Sequence, residues 1–463
     1  MESCRHSLIF SENDQNYRSR LIDILSQDLD FHSLETNYAS HDIHSFPAKF
    51  PPQLPRTFIL GLTNPGDIVL DSMMGSGTAV LEAYLTGRQG IGVDIDPLAL
   101  KIGNVKVTPL DAEVLYKLGN KIIHNAHVTI TEKINEIEAC REKKWDSETK
   151  EFINKWFAHE TQIELLALIN EISRIYDNEI RAFFEIVFSA IIITKSGGVS
   201  LALDLAHTRP HLAKEVITKT GKIVISNNCE NISLSRKKIL TKTLRPAVDE
   251  FAKRFRQNLK SVLKPDSSKI KSKILFADAQ RLPLDDSSVD LIVTSPPYAS
   301  NAIDYMRAHK FSLVWLGYPI ARLGQKRKEY IGGEVLSDIK FERLPESTHA
   351  VVAEVSKGDV RKGRVLHRYY SEMKRTLLEM FRVLRPGKAA IVVVGSSTMR
   401  GLDTKIHLSL SDIGRSIGFE VPKIGVRSMD RNKRMLPAGL KINLDSQIQQ
   451  RMHEEYVIGF YKP

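Results

Sequence analysis

The stretch from Gly66 to Pro97 constrains the fold of this chain more than any other. It begins with a short apolar run that ends on Asp71, passes through a glycine-containing turn, and then takes the spacing of an amphipathic helix. A second apolar run follows and ends on Asp94. A strand, a turn, a helix and a strand in this order make one βαβ unit. The chain is therefore predicted to contain a parallel sheet with helices on its faces.

Later apolar runs are predicted to complete this sheet. Residues 274–276, 289–294 and 389–395 are short, apolar and bounded by polar or glycine residues. Two late segments, 419–426 and 455–461, are predicted to close the sheet as a hairpin-like pair. The fold class is predicted to be α/β, with a doubly wound Rossmann-like sheet.

The interval between the second and third predicted strands is long and has a different pattern. Apolar residues such as Leu166, Ile169 and Ile172 recur at helical spacing there. Residues 109–272 are therefore predicted to form a helical insertion. Residues 1–35 are predicted to be an N-terminal arm. The catalytic domain is predicted to consist of residues 36–108 and 273–463.

Most of the net charge lies in one place. The chain has 66 Lys and Arg against 55 Asp and Glu, a net charge of +11, and the stretch from Arg236 to Lys273 has thirteen basic and three acidic residues. A solvated helix face fits such a run, but its concentration favours phosphate contact. A second basic cluster fits a solvated loop and a DNA-backbone contact equally. It consists of Arg427, Arg431, Lys433 and Arg434.

Nothing in the sequence predicts a membrane anchor, a secretory leader or a metal site. The longest apolar run, 182–194, contains a glutamate and is shorter than the roughly 20 residues that a bilayer span needs. His41 and His44 lie three positions apart, but no cysteine or carboxylate completes a metal-ligand set with them. The three cysteines are too scattered for a disulfide framework. They are Cys4, Cys140 and Cys229. A cytoplasmic protein is expected.

The turn between the first two predicted strands has the features of a nucleotide-binding loop. Gly75 and Gly77 let a ligand approach the backbone closely, and Asp94 at the next strand end can accept ribose hydroxyls. A tight turn needed only for packing is the alternative. The third glycine of a dinucleotide loop is absent, since Val80 stands in its place. This disfavours an NAD site.

A second motif follows the strand predicted at 289–294. It is the tetrapeptide Ser295-Pro296-Pro297-Tyr298. The two prolines fix an extended backbone whose carbonyls can face a ligand, and Tyr298 offers a flat ring. A planar base stacked on that ring could donate from its exocyclic amine to the Ser295 hydroxyl and the Pro296 carbonyl. A purely structural turn is the alternative.

Together these motifs resemble the amino-group DNA methyltransferases that use S-adenosylmethionine, especially the cytosine-N4-specific ones. The resemblance covers residues 41–97 and 277 to about 437, and it implies a class I methyltransferase fold. It implies that Ser295, Pro296, Pro297 and Tyr298 are the catalytic residues. It also implies a set of cofactor-binding residues. These are Phe46, Pro47, Ala48, Lys49, Phe50, Asp71, Met73, Gly75, Gly77, Thr78, Asp94, Asp278 and Ala279. The chain departs from the family at Ser72, where proline is usual.

The resemblance implies direct methyl transfer from a sulfonium to an exocyclic amine. Methylation at cytosine C5 is disfavoured, because no cysteine lies in a setting for a catalytic thiolate. In this family Ser295 before the prolines favours cytosine N4 over adenine N6. The implied partners are double-stranded DNA and a cognate restriction endonuclease. The segment from Tyr330 to Arg361 is predicted to be a loop that closes over the extruded base.

Three alternatives stay open at this stage. They are adenine-N6 methylation of DNA, methylation of an RNA amine, and a non-catalytic DNA-binding protein that senses S-adenosylmethionine.

Overall fold

The computed structural model describes most of the chain. The described residues are 12–32, 34–194, 196–203, 205, 210–226, 240–266, 270–299, 304–333, 336, 339–429 and 454–463. Their strands are β1 (Ile68–Asp71), β2 (Gln89–Asp94), β3 (Glu215–Thr218), β4 (Ile223–Ser226), β5 (Thr241–Leu244), β6 (Lys273–Phe276), β7 (Val289–Thr294), β8 (Leu384–Gly395), β9 (Thr398–Met399), β10 (Leu402–Asp403), β11 (Glu420–Ser428) and β12 (Glu454–Lys462).

The helices precede, connect and cover these strands. They are α1 (Glu12–Leu25), α2 (Gln53–Leu62), α3 (Thr78–Leu85), α4 (Pro97–Val107), α5 (Ala112–Glu132), α6 (Ile134–Lys143), α7 (Ser147–Trp156), α8 (His159–Ser173), α9 (Asn178–Ile192), α10 (Ala247–Leu259), α11 (Met306–Leu313), α12 (Ile320–Lys326), α13 (Glu346–Gly358), α14 (Val360–Val383) and α15 (Ile406–Ile417). A 3₁₀ turn covers Arg327–Glu329. Among the described residues, no helix has the length and apolarity needed to traverse a bilayer.

The central sheet has seven strands in the order β11-β12-β8-β7-β1-β2-β6. The five strands from β8 to β6 are mutually parallel, and β12 pairs antiparallel with both β8 and β11. After β1 the chain adds β2 and β6 on one side of β1, and then adds β7 and β8 on its other side. This confirms the doubly wound sheet and the late antiparallel pair predicted from the sequence. Ligands of such sheets bind at the carboxyl strand ends, near the point where strand order reverses.

Both faces of the sheet are covered, as the alternation of side chains along each strand requires. On one face Val69 and Leu291 pack against α1 and α2, and on the other Leu70 and Ile292 pack against α14. All four side chains are buried. The hydrophobic clusters on the two faces of the sheet therefore fix the positions of the carboxyl ends of its strands.

Helix α1, in the N-terminal arm predicted at residues 1–35, packs against this core, and the bounds of the arm stay a prediction. Tyr17, Leu21 and Ile24 follow helical spacing and are buried, in one cluster with Val393 of β8. The amphipathic spacing is short, and the polar residues around it hid it at the sequence level.

Residues 109–272 contain the predicted helices, α5 to α10, and also a small sheet that the sequence did not reveal. In that sheet β3 lies between β4 and β5. The helical cluster extends beyond residue 272, because Phe311 and Trp315 of the α11 region pack into it. The domain boundaries drawn from the sequence stay a prediction.

The segment from Tyr330 to Arg361 is not a loop throughout, and that prediction was wrong in its second half. Helix α13 occupies Glu346–Gly358, with Thr348, Val352 and Val355 buried along one side. Their spacing of three and four residues is helical, but the charged residues around them masked it.

Candidate active site

A cavity opens at the carboxyl ends of β1, β2, β6 and β7. It encloses about 710 Å³ of space between atoms. Of the residues predicted to bind the cofactor or act in catalysis, it brings together Phe46, Met73, Gly75, Asp94, Asp278, Ala279, Ser295 and Pro297. The two motifs recognised in the sequence, the glycine turn and the proline tetrapeptide, therefore face one shared cavity.

The glycine turn is shaped by its backbone. Gly75 and Gly77 have φ values of +49° and +75°, in the left-handed region that disfavours other residues. A Cβ on Gly75 would lie 3.0 Å from Phe46 Cε1, and one on Gly77 would lie 3.2 Å from Gly103 Cα. Gly77 also caps the amino end of α3. Glycine is therefore required both by conformation and by close packing.

Asp94 is fixed by the turn that it faces. Its Oδ2 accepts a hydrogen bond from the Gly75 N–H at 2.8 Å, and its Oδ1 accepts one from the Asp96 N–H at 2.8 Å. Burial raises the pKa of Asp94 to about 6, and the nearby Asp96 carboxylate contributes to the rise. Each carboxylate oxygen keeps a second lone pair, so a pair of ligand hydroxyls can still be bound.

Asp71 lies beneath the turn and does not line the cavity. It is 2% exposed and accepts a hydrogen bond from Thr294 Oγ1 at 2.7 Å. The Met73 N–H donates to the same hydroxyl at 3.2 Å. Burial raises the pKa of Asp71 to about 7, against the Thr294 hydrogen bond, which lowers it. Asp71 therefore ties the end of β1 to the end of β7, below the ligand space.

Asp96 lines the cavity and was missed by the sequence analysis. His309 Nδ1 lies 2.8 Å from its Oδ2, and the Tyr330 hydroxyl donates to the same oxygen at 2.6 Å. Burial alone would raise the pKa of Asp96, but His309 and the hydrogen bonds lower it to about 2. Its other oxygen caps α4 by accepting from Leu98 and Ala99 N–H groups. The charged Asp96 carboxylate therefore fixes Tyr330 at the cavity wall through this hydrogen bond.

Aromatic rings form another wall of the cavity. The Phe46 ring stacks on Tyr305, with centroids 5.1 Å apart, and also contacts His309. The rest of the predicted cofactor segment, residues 47–50, does not line the cavity. Phe50 is buried under the sheet with α2 instead. Only Phe46 of this segment reaches the ligand space.

The proline tetrapeptide is divided between the cavity and the protein interior. Ser295 and Pro297 line the cavity, whereas Pro296 and Tyr298 do not. The Tyr298 hydroxyl donates to Glu455 Oε1 at 2.9 Å. Burial raises the pKa of the Tyr298 phenol well above its ordinary value, and Glu455 raises it further. Gly77 and Thr78 also lie outside the cavity lining, so their predicted contact with the cofactor stays a prediction.

The described part of the second basic cluster has a structural role. Arg427 is 8% exposed and forms an ion pair with Glu455, its partner in the β11–β12 register. Its Nε donates to the Leu29 carbonyl at 3.1 Å. Neither a solvated loop nor a DNA contact describes Arg427, because strand pairing buries it. Arg431, Lys433 and Arg434 lie outside the described residues.

The histidines near the N-terminus serve packing. His41 Nε2 lies 2.7 Å from Glu82 Oε1, and His44 Nε2 lies 2.8 Å from Ser189 Oγ. Burial lowers the pKa of His41 to about 4 and that of His44 to about 3. In the part of the chain that the structure describes, no group of three or more potential metal ligands occurs.

The cavity fits S-adenosylmethionine by the chemistry of its walls. Asp94 offers a half-buried carboxylate that suits ribose hydroxyls, and Asp278 offers an exposed carboxylate at the cavity rim beyond β6. Gly75 lines the cavity without a side chain, so the ligand can approach the backbone there. Met73 and Phe46 supply apolar surface.

Comparisons with known proteins find DNA methyltransferases. A family model described as a DNA methylase of the N6/N4 type matches residues 10–104. The Type II methyltransferase M.MvaI of Kocuria varians is 23% identical over 413 residues, which are 85% of this chain and 85% of that protein. The Type II methyltransferase M.BsoBI of Geobacillus stearothermophilus is 23% identical over 437 residues, 84% of this chain and 80% of that protein. The DNA adenine methyltransferase YhdJ of Escherichia coli K12 is 38% identical over 66 residues, 14% of this chain and 22% of that protein.

The sheet order and the strand-end cavity define a class I methyltransferase fold. The chain is similar to the amino-group DNA methyltransferases, and its methyl donor is S-adenosylmethionine.

Proposed function

We propose that this protein methylates the exocyclic N4 amine of cytosine in duplex DNA, at a defined sequence. The observation that carries the proposal is the shared cavity, which is lined both by Asp94 and Gly75 and by Ser295 and Pro297. A donor held by the first pair would face an amine held by the second. The serine before the two prolines supports cytosine N4 as the target, by the family resemblance.

S-Adenosylmethionine supplies a methyl group on a sulfonium, which an amine can attack directly. The protein's contribution is therefore positioning and exclusion of water. Asp94 would bind the ribose hydroxyls, and Asp278 the adenine amine. The Ser295 hydroxyl and the Pro296 carbonyl would accept hydrogen bonds from the target amine, which turns its lone pair toward the methyl group. The ring of Tyr298 would support the extruded base.

A thiolate mechanism at cytosine C5 has no support among the described residues. Cys140 lies on α6 in the insertion, where its sulfur accepts a contact from Asn170 Nδ2 at 3.8 Å. Cys4 and Cys229 lie outside the described residues. The proposed chemistry needs no nucleophilic side chain.

The Type II names of two relatives suggest a restriction–modification role and a cognate endonuclease, and we include both in the proposal. Adenine N6 is the second candidate target, and the local identity to a DNA adenine methyltransferase favours it.

The test is to incubate the protein with duplex DNA and methyl-labelled S-adenosylmethionine, digest the DNA and resolve the nucleosides by mass spectrometry. The proposal predicts labelled N4-methylcytosine. Labelled N6-methyladenine would move the proposal to the second candidate. Label found only in added RNA, or in no nucleic acid, would overturn it.

A further inference from the structure

A second cavity lies in the insertion, apart from the cofactor cavity. It is bordered by the loop that follows α9, by β5 and by α10, and the space between these walls, which opens to solvent, is about 1220 Å³. A phosphate contact is predicted from the sequence for the stretch from Arg236 to Lys273, and of its described residues only some between Thr241 and Gln257 border this cavity. We name the cavity the basic groove, after its cationic and hydroxyl side chains. These are Thr194, Ser196, Thr241, Lys242, Thr243, Arg245, Lys253 and Arg254.

The basic groove is positively charged, although burial lowers the pKa of Lys242, one of its basic residues, to about 7. Four cationic side chains border it, and Glu250 is the single acidic residue among the described residues that line it. Glu250 lies 3.4 Å from Arg245 Nη1 and offsets part of that charge. Lys253 is exposed and makes no ion pair with any described residue. A concave surface with excess positive charge attracts anions.

The floor of the basic groove contains a buried lysine whose position is fixed by hydrogen bonding and close packing. Lys242 is 7% exposed, and its Nζ donates to the Ala202 carbonyl at 2.6 Å. Gly197, in the loop after α9, has a φ of +73°, and a Cβ there would lie 1.9 Å from the Ala202 oxygen. The Gly198 N–H donates to Thr194 Oγ1 at 2.7 Å. The loop after α9 is therefore held against Lys242 of β5 by hydrogen bonds and close packing.

The lining chemistry selects a sugar-phosphate backbone over a nucleobase. No aromatic side chain is among the described residues that line the basic groove, so a base has nothing to stack on. Hydroxyls and cations are the groups that contact phosphate oxygens without reading sequence. A duplex backbone matches this lining better than an extruded or single-stranded base does.

Helix α10 connects the basic groove to the cofactor cavity. Arg254, which borders the groove, donates through Nη2 to the Asp42 carbonyl at 2.6 Å. One turn further on, Asn258 Nδ2 donates to the Ile43 carbonyl at 3.0 Å. The chain then reaches Phe46 at the cofactor cavity. A ligand in the basic groove would therefore lie against the same helix that holds the cofactor segment.

We propose that the basic groove binds the phosphodiester backbone of the DNA substrate. This inference rests on the proposed function, because DNA is the polyanion that the enzyme must hold. Arg245 and Lys253 contact phosphates at the groove edge, and Lys242 contributes from the floor.

The test uses the full-length chain with Arg245→Ala and Lys253→Ala combined. Both side chains are exposed, so the fold should be kept, and an unchanged melting temperature checks this. The matched control is Arg256→Ala, which removes an exposed charge from the same helix but does not border the groove. Fluorescence anisotropy of a labelled mixed-sequence duplex, measured across a salt series, reports binding.

The double variant should bind the duplex about tenfold more weakly, and the slope of log affinity against log salt should fall by about 2. The Arg256→Ala control should match the wild type, and all three proteins should bind S-adenosylmethionine equally. Wild-type affinity and slope in the double variant would overturn the proposal. Loss of binding to a structured RNA with unchanged duplex binding would also overturn it.

The outcome is separable from that of the proposed function. If the wild type methylates DNA but the double variant binds the duplex with normal affinity, the proposal for the basic groove is wrong and the proposed function is kept. If duplex binding depends on the groove but no methyl group is transferred, the function fails and the groove stands.

Discussion

The Tyr298 hydroxyl donates a hydrogen bond to Glu455 Oε1 at 2.9 Å, although 157 positions separate the two residues. Glu455 is in turn paired with Arg427, and both charged side chains are buried. The aromatic member of the tetrapeptide is therefore held by the antiparallel strands at the end of the chain. Its orientation is set by β11 and β12 and not by the tetrapeptide alone.

Tyr298→Phe should keep the ring and lose this hydrogen bond. We expect kcat/KM for DNA to fall about tenfold, in line with a lost hydrogen bond to a charged group, while affinity for S-adenosylmethionine is unchanged. Glu455→Met, which removes the acceptor oxygen, should have a similar effect on kcat/KM. The kcat/KM of the double variant should equal that of the less active single variant, because both substitutions remove the same hydrogen bond between residues 298 and 455. Fully multiplicative losses in the double variant would show that Glu455 does not act through Tyr298.

Gly75→Ala should weaken cofactor binding. The new Cβ would lie 3.0 Å from Phe46 Cε1 at a φ of +49°, so the turn or the ring must move. We expect the Kd for S-adenosylmethionine, measured by calorimetry, to rise at least about tenfold, or roughly 1.4 kcal/mol. Gly66→Ala is the matched control, since Gly66 has a φ of +93° but an open surrounding. It should lower the melting temperature and leave the Kd unchanged. Equal Kd values for both variants and the wild type would contradict the assignment of the turn.

Affinity for S-adenosylmethionine should depend on pH through Asp94. The pKa of Asp94 is raised to about 6, so the carboxyl becomes protonated in the free protein as the pH falls below that value. Ligand hydroxyls stabilise the charged form, and so the affinity should decrease by up to about tenfold per pH unit below pH 6. Asp94→Asn should bind weakly with no such dependence. Asp71→Asn should keep it, and a lost dependence there would assign the titration to Asp71 instead.

Asp71→Asn should stabilise the fold at alkaline pH. Because the pKa of Asp71 is raised to about 7, the folded protein binds more protons than the unfolded chain between about pH 4 and pH 7. This group's contribution to stability therefore decreases as the pH rises through that window. The variant should exceed the wild type at pH 8 by an amount on the order of 2–4 kcal/mol, and by less at pH 5.5. Urea unfolding at both pH values measures this, and a variant less stable at pH 8 would contradict it.

The sequence predicted those parts of the site that depend on local pattern. Asp94 is the last residue of one apolar strand, and Ser295 directly follows another. The carboxyl ends of parallel strands lie at one edge of the sheet. Asp96 was missed because its partners, His309 and Tyr330, lie 213 and 234 positions away and meet it only in the folded protein. The proline after Asp96 indicates a helix start, but not a link to the cavity wall.

Burial was the other property that local pattern could not give. Arg427 stands in a basic run that is typical of an exposed loop, yet its register opposite Glu455 places it inside the protein. Conversely, Tyr298 was expected to face the ligand, and its hydroxyl is engaged with Glu455. Strand pairing across distant parts of the chain decided both cases.

The central claim is that a methyl donor and a target amine meet in the cavity shared by the glycine turn and the tetrapeptide. The most direct measurement is single-turnover methyl transfer to duplex DNA by the Ser295→Ala, Tyr298→Ala double variant, with S-adenosylmethionine affinity and DNA binding measured on the same protein. The account predicts a loss of at least about 100-fold in rate with both affinities within about twofold of wild type. Methyl transfer at the wild-type rate would contradict it.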